Sequence, residues 1–434
     1  MDRLRPPPSS GSHGGYARSF LATLLLILSV VGAATSTLDP FGIHRWIEVP
    51  GINAHKPATH ARVRMFKAYE VERVKPETVI LGSSRSHVGF SCRHPALARL
   101  PGPCYNLAFD GATTREMFEY LVHANEIRPL RTVLLGLDTY HLSDATSLTR
   151  PGFDATVLLS ARHRRWQRAV EGDLRLAISV DALASSLDML RHQSDGEPEW
   201  FLADGQRSGE LFFRRPGEEF AQAGPRAYFD AIDRLEVGFQ TPTRSPSVSR
   251  GEPSRPDPAE SSLAYVGRIA AFCRERGIEL RIAITPSHVH QLEISALLGA
   301  GAALETGKRA LVRLLAREAG GRPGNAVPVW DFSGYSSITT EPLPRLGSRE
   351  EMKYYWDSSH FKSGVGDLVL ERVFATGPVA DAVPPDFGVL LDSDTLEAAL
   401  SSQRARQASH RDSAADDLAA LRRLVESAQR AELP

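Results

Sequence analysis

The longest apolar feature of the chain is the uncharged run at residues 19–38, whose core reads FLATLLLILSVVGAA. A helix of twenty residues rises about 30 Å, the thickness of a bilayer's hydrocarbon core. Arg3, Arg5 and Arg18 precede the run and Asp39 follows it, an asymmetry that keeps residues 1–18 cytoplasmic and sends the rest across. Two readings export the same domain. One is an uncleaved single-pass anchor in the inner membrane with a periplasmic main domain. The other is a signal segment, for which the length of 20–31 and the small residues Gly32, Ala33 and Ala34 suit cleavage. A buried core helix is the third.

Beyond a membrane-proximal stalk at 39–76, short β-branched runs alternate with longer helical patterns. ARVRMFKAYEVERVKP predicts a helix that stops before Pro76. Residues 78–81, 104–107 and 132–137, LRIAITP, and the end of VPVWDFSG read as buried parallel strands. Thr113 or Thr114 caps a helix carrying Met117, Phe118, Tyr120 and Leu121, and SLAYVGRIAAFCRERG is a helix ended by Gly277. ALETGKRALVRLLAREAG is a further helix. This order predicts an α/β fold, a three-layer sandwich around a mostly parallel sheet, over residues 77–380. Residues 141–261 break the alternation and read as an insertion or lid, with helices, an irregular or hairpin stretch at 199–215, and the loop TPTRSPSVSRGEPSRPDP. Residues 381–434 read as a tail. Its helix, 411–431, gathers Leu418, Leu421, Leu424 and Val425 on one face, to pack back on the domain or meet a partner.

Composition narrows the class. The 434 residues are 42% apolar and 24% charged, which excludes a disordered or polytopic membrane chain. The net charge of −1 supplies no basic field for nucleic acid. No G-x-x-x-x-G-K loop follows a strand, which disfavours a nucleotide site. Three cysteines are too few for a disulfide scaffold. Cys92 and Cys104 flank a Pro-rich loop and are either a disulfide permitted by export or two small buried hydrophobes; Cys273 packs in a helix.

Ligands of open α/β sheets bind beyond the carboxyl ends of the strands. The polar residues there are Gly82, Ser83, Ser84 and Arg85 after the first strand, Asp110 and Gly111 after the second, and Asp138, Thr139 and Tyr140 after the third. Ser287 and His288 follow the fourth, and YYWDSSHFKSGVGD, with Asp357 and His360, lies near the end. A serine hydroxyl needs a base, histidine is the natural one near neutral pH, and a carboxylate orients the imidazole. Arg85, His288 and Tyr140 are candidate substrate-binding residues, Arg85 for an anionic group. His288-x-His290 has a metal-like spacing but no carboxylate or cysteine beside it, and neither a metal nor a cofactor is expected.

These blocks resemble the SGNH (GDSL-like) hydrolase superfamily. ILGSSRSHVGF resembles the first block, with Ser84 as nucleophile and Ser83 where many members have Asp. YNLAFDGATT resembles the second and puts Gly111 in the oxyanion hole beside the Ser84 N–H. WDSSHF resembles the last and implies Asp357 and His360 as the remaining triad members. The third block departs from the family: Asp138 stands where an Asn donates to the oxyanion, and only a protonated Asp can donate. The anchor followed by such a domain is similar to exported proteins of alginate and cellulose acetylation and of D-alanyl transfer to teichoic acid. The resemblance implies an O-acyltransferase or esterase acting on cell-envelope polysaccharide, with an acyl donor and a multispanning membrane acyltransferase as partners. The alternative is a non-catalytic envelope protein that binds glycan or scaffolds polysaccharide biosynthesis.

Overall fold

A computed structural model describes residues 11–143, 145–159, 169–193, 200–209, 211, 224–240, 257–320, 327–377 and 381–430. The strands and main helices that follow the N-terminal helix α1 (Gly11–Leu38) are, in chain order, α2 (Val63–Val74), β1 (Thr78–Leu81), α3 (Ser84–Gly89), β2 (Cys104–Asn106), α4 (Thr114–Ile127) and β3 (Thr132–Leu137). Then come α5 (Val180–Arg191), α6 (Pro225–Gln240), α7 (Ser262–Arg276), β4 (Glu279–Ile284), α8 (Val289–Leu297), α9 (Gly301–Glu318) and β5 (Val329–Asp331). The chain ends with α10 (Ser363–Val373), β6 (Val389–Leu391), α11 (Leu396–Ser413) and α12 (Ala415–Arg430). Most of the loop expected over 241–258 lies outside the described residues.

The chain divides into two compact units, one of Met1–Tyr69 with Asp154–Glu199 and one of Glu70–Phe153 with Trp200–Pro434. Within the span 141–261, Asp154–Glu199 groups with the N-terminal unit.

In the first unit α1 supplies, over Gly14–Leu38, a helix long and apolar enough to cross a membrane. In the second, six strands run in the order β2-β1-β3-β4-β5-β6. The first five are parallel, and β6 pairs antiparallel with β5. Every residue of β1 and β3 is buried, as a strand covered on both faces requires. The core gathers Ile80, Leu134 and Ala283 of the sheet with Phe90, Phe332, Phe361, Val369 and Phe387.

The strand β6 and helix α11 were not expected. Residues beyond 380 extend the sheet by an edge strand, and the apolar face of α12 packs back: Leu418, Leu421 and Val425 are buried with Val237 of α6 and Ile294 of α8. Cys92 and Cys104 are joined by a disulfide. Cys273 is buried, and burial pushes its thiol up to about 12.

Strand order reverses direction between β1 and β3: the chain steps from β1 outward to β2, then returns past β1 to β3. In open α/β sheets the loops leaving the carboxyl ends of two such strands diverge, and the crevice between them is where ligands bind.

Candidate active site

The crevice begins with a tight join. Ser83 caps α3, its hydroxyl accepting the Arg85 N–H at 3.3 Å. Ser84 is the first residue of α3, so its N–H has no intrahelical partner. Gly82 and Gly136 let the Ser86 side chain pass between the ends of β1 and β3; a β-carbon at either position would collide with it. The second strand's exit is bonded to the first: Leu107 N–H donates to Ile80 C=O at 2.8 Å and Phe109 N–H to Gly82 C=O at 3.2 Å. The Phe109–Ala112 turn follows, with Gly111 at φ +62° and open space over its α-carbon.

From the far end of the chain comes a closed loop. Trp356 N–H donates to His360 C=O at 2.9 Å, and Lys362 N–H to Tyr354 C=O at 2.8 Å. Within it the Asp357 Oδ1 accepts the N–H groups of Ser359 at 2.7 Å and His360 at 2.8 Å. Phe361 anchors the loop in the core beside Phe90, with ring centroids 5.5 Å apart. Helix α8 braces it from behind, through His288 N–H to Ser358 C=O at 3.1 Å and Gln291 Nε2 to Ser358 Oγ at 3.1 Å.

The three side chains from positions 84, 357 and 360 meet. His360 Nδ1 lies 3.0 Å from both carboxylate oxygens of Asp357, and its Nε2 lies 2.9 Å from Ser84 Oγ. A carboxylate only accepts, so Nδ1 carries the proton and Nε2 is left to accept from the serine hydroxyl. Burial alone would lower the His360 pKa; the Asp357 charge and hydrogen bond outweigh it and hold the imidazole above its ordinary value. Asp110 adds to this field. Its own carboxylate, bonded to His87 Nδ1 at 3.2 Å and paired with Arg207, is held below the usual carboxylate range against the opposing effect of burial.

Asp138 and Arg85 do not occupy the roles expected of them. Asp138 is 1% exposed and accepts hydrogen bonds from Ser83 Oγ and, at 2.5 Å, from Thr285 Oγ1. Arg85 lies 3.7 Å away. Burial would raise the Asp138 pKa, but the Arg85 charge, His141 and the two hydroxyls bring it below the ordinary value. Asp138 is an ionised acceptor and cannot donate to an oxyanion. Arg85, 3% exposed, is turned inward, and its Nη2 donates to Ser359 Oγ at 3.0 Å. It ties the helix of Ser84 to the end of β3 and to the His360 loop, which leaves no exposed guanidinium for an anionic substrate.

His288 is likewise buried rather than lining the crevice. It caps α8, its Nε2 lies 2.8 Å from Glu341 C=O, and its ring packs edge-on against Phe229 and Tyr355. His290 Nδ1 lies 2.7 Å from Asp233 Oδ2. Among the described residues no three His, Cys, Asp or Glu side chains gather as a metal would need. Tyr140 is half-exposed, with its hydroxyl turned toward Ser83 and Asp138.

Two residues near Ser84, Asp357 and His360 carry no signal in the sequence. Glu236 of α6 bonds Ser359 and feels the charges of Arg85 and His360; burial raises its pKa. Tyr228, on the same helix, is raised by burial and by the Asp357 charge. Neither follows a strand, so the strand-end rule passed over both.

Neither the protein-family models nor the curated proteins contain a match to this chain.

Proposed function

We propose that the chain is an exported, membrane-anchored O-acyltransferase or esterase of the SGNH type, acting on cell-envelope glycan through an acyl-enzyme on Ser84. The observation that carries this reading is the hydrogen-bonded chain Ser84–His360–Asp357 at the sheet's switch point. Ser84 Oγ attacks the acyl carbonyl while its proton passes to His360 Nε2. As the ester bond breaks, that proton goes to the leaving oxygen. In the second half His360 takes the proton of a glycan hydroxyl or of water, whose oxygen receives the acyl group, and the proton returns to Ser84. The N–H groups of Ser84 and Gly111 are the oxyanion donors in this scheme. Asp138, as a carboxylate, leaves the hole one donor short of the superfamily pattern, a loss that typically costs about 10²–10³ in rate.

The fully buried runs of β1 and β3 support a three-layer sandwich. The apolar α1 after basic residues supports an inner-membrane anchor with the sheet unit in the periplasm, and the Cys92–Cys104 disulfide fits an oxidising compartment. A multispanning acyltransferase is the proposed source of acyl groups from the cytoplasmic side.

A fluorophosphonate probe tests the mechanism. It is expected to label the wild-type chain and to fail on Ser84→Ala of unchanged circular dichroism. Absence of labelling on the folded wild type, or labelling that survives Ser84→Ala, refutes a competent triad. The carboxylate at position 138 favours a second reading, a glycan-binding protein without turnover. Hydrolysis of an activated acetyl ester by the wild type and not by Ser84→Ala decides against it.

A further inference from the structure

We propose that the first unit is itself seated in the membrane, with the outward apolar face of α5 immersed in the lipid leaflet beside α1. The proposal rests on the reading of α1 as a spanning anchor.

Helix α5 divides its surface into three sectors. Ala182, Ser186 and Met189 face inward and are buried. Asp181 and Asp188 are exposed on a polar edge. Val180, Leu183, Leu187 and Leu190 recur at intervals of three and four residues, yet they are 83%, 39%, 50% and 41% exposed. An apolar stripe at helical spacing is ordinarily what a protein buries. A contiguous exposed patch of this kind marks a surface that meets something other than water.

Depth along α1 identifies the occupant. The uncharged run 19–38 is about 30 Å of helix, so it matches the hydrocarbon core with no slack. The segment leading into α5 attaches before that run ends. Ile178 packs over Gly32, and the buried Thr35 hydroxyl donates to the Ala177 C=O. These contacts lie three and six residues before Leu38, roughly 5 and 9 Å inside the apolar boundary by helix rise. A surface helix in the interface buries its apolar face by about 5–10 Å, the same depth. A lipid leaflet therefore meets the stripe if α1 spans.

The end of α1 is finished as an apolar surrounding demands. Asn53 Nδ2 lies 3.2 Å from Thr37 C=O and 3.3 Å from Leu38 C=O, and the buried Lys56 Nζ donates to Asp39 C=O at 2.8 Å. The carbonyls of the last two residues of α1 and of the residue after it are thus met by protein rather than by water. The same Asn53 donates to Ile47 C=O at 2.8 Å and holds the adjoining loop against the helix end. That loop carries Trp46, 70% exposed, an amphipathic residue favoured at the membrane–water boundary.

The test uses the full chain in liposomes of phosphatidylethanolamine and phosphatidylglycerol. The native cysteines are disulfide-bonded or buried, so one new exposed cysteine takes an environment-sensitive fluorophore selectively. Leu183→Cys and Leu187→Cys are expected to lose their fluorescence to acyl-chain nitroxide lipids, as Leu26→Cys in α1 does, while Asp188→Cys keeps it. Quenching at position 26 but not at 183 and 187 overturns this inference and leaves the anchor standing. No quenching at position 26 overturns the anchor reading and this inference with it. Quenching at Asp188→Cys equal to that at 187 overturns the assigned face. Labels at 183 and 187 that are protected in native membranes yet unquenched in lipid alone assign the face to a protein partner and overturn the proposal.

Discussion

The Arg85 guanidinium lies 3.7 Å from the Asp138 carboxylate, with both side chains buried. The pair joins α3 to the end of β3, and Arg85 reaches on to Ser359 beside the candidate base. Removing one partner of a buried ion pair strands the other charge, at a cost of about 3–5 kcal/mol. Asp138→Asn is expected to lose that much stability in chemical denaturation, and Asp138→Asn with Arg85→Met to recover most of it. Ester turnover should fall in the single variant, because Arg85, which ties down the His360 loop through Ser359, loses the charge that orients it. A rise in turnover would show instead that an amide at position 138 supplies the donor that the native carboxylate withholds, and that this gain outweighs the loss of the ion pair.

His360 must be neutral to act as a base, and Asp357 holds it above the ordinary imidazole value of 6.5. The acidic limb of kcat/KM is therefore expected at a pH above 6.5, with activity rising as the proton leaves. Asp357→Asn should lower kcat by about 10⁴-fold, because Nδ1 loses the acceptor that fixes the tautomer. A pH–rate profile with an activated acetyl ester checks both, and a limb below 6.5 would contradict the coupling.

His288 is held neutral by burial, well below 6.5. Below that value the unfolded chain takes up a proton that the folded His288 refuses. Its contribution to stability is complete above about pH 6.5 and falls as pH drops, by at most about 1.4 kcal/mol per pH unit. Asn can still cap α8, so His288→Asn is expected to fold and to show a shallower loss of stability between pH 6.5 and 4.5. The slope is the readout, and an unchanged slope would sink the claim.

The Cys92–Cys104 bridge closes a loop with a sequence separation of 12. Constraining the unfolded chain over such a span contributes about 2–4 kcal/mol. The double variant Cys92→Ala, Cys104→Ala should lose stability in that range by chemical denaturation. Thiol titration of the denatured, unreduced wild type should find one thiol, Cys273; three would exclude the bridge.

Local pattern was enough wherever the deciding physics is local. Thr78–Leu81 and Thr132–Leu137 are β-branched or apolar throughout, and they form strands with those bounds. Thr113, one of two adjacent candidate caps, caps α4 in a box with Glu116. The three residues of β6 are too few to carry a period, and their pairing with β5 is made across a long separation. The face of Leu418, Leu421 and Val425 was legible as apolar, but Val237 and Ile294, which cover it, were not.

The amino-acid order by itself determined the apolar N-terminal helix, the alternation of strands and helices, and the polar residues at each strand's exit, because backbone propensity and side-chain period act over a few neighbours. Only the tertiary structure decided which way those polar side chains point. Ser84 meets His360 across 276 residues, while Arg85, the very next residue on the helix, turns inward to Asp138. The direction is set by what packs on each side of α3, and no short stretch of sequence holds that information.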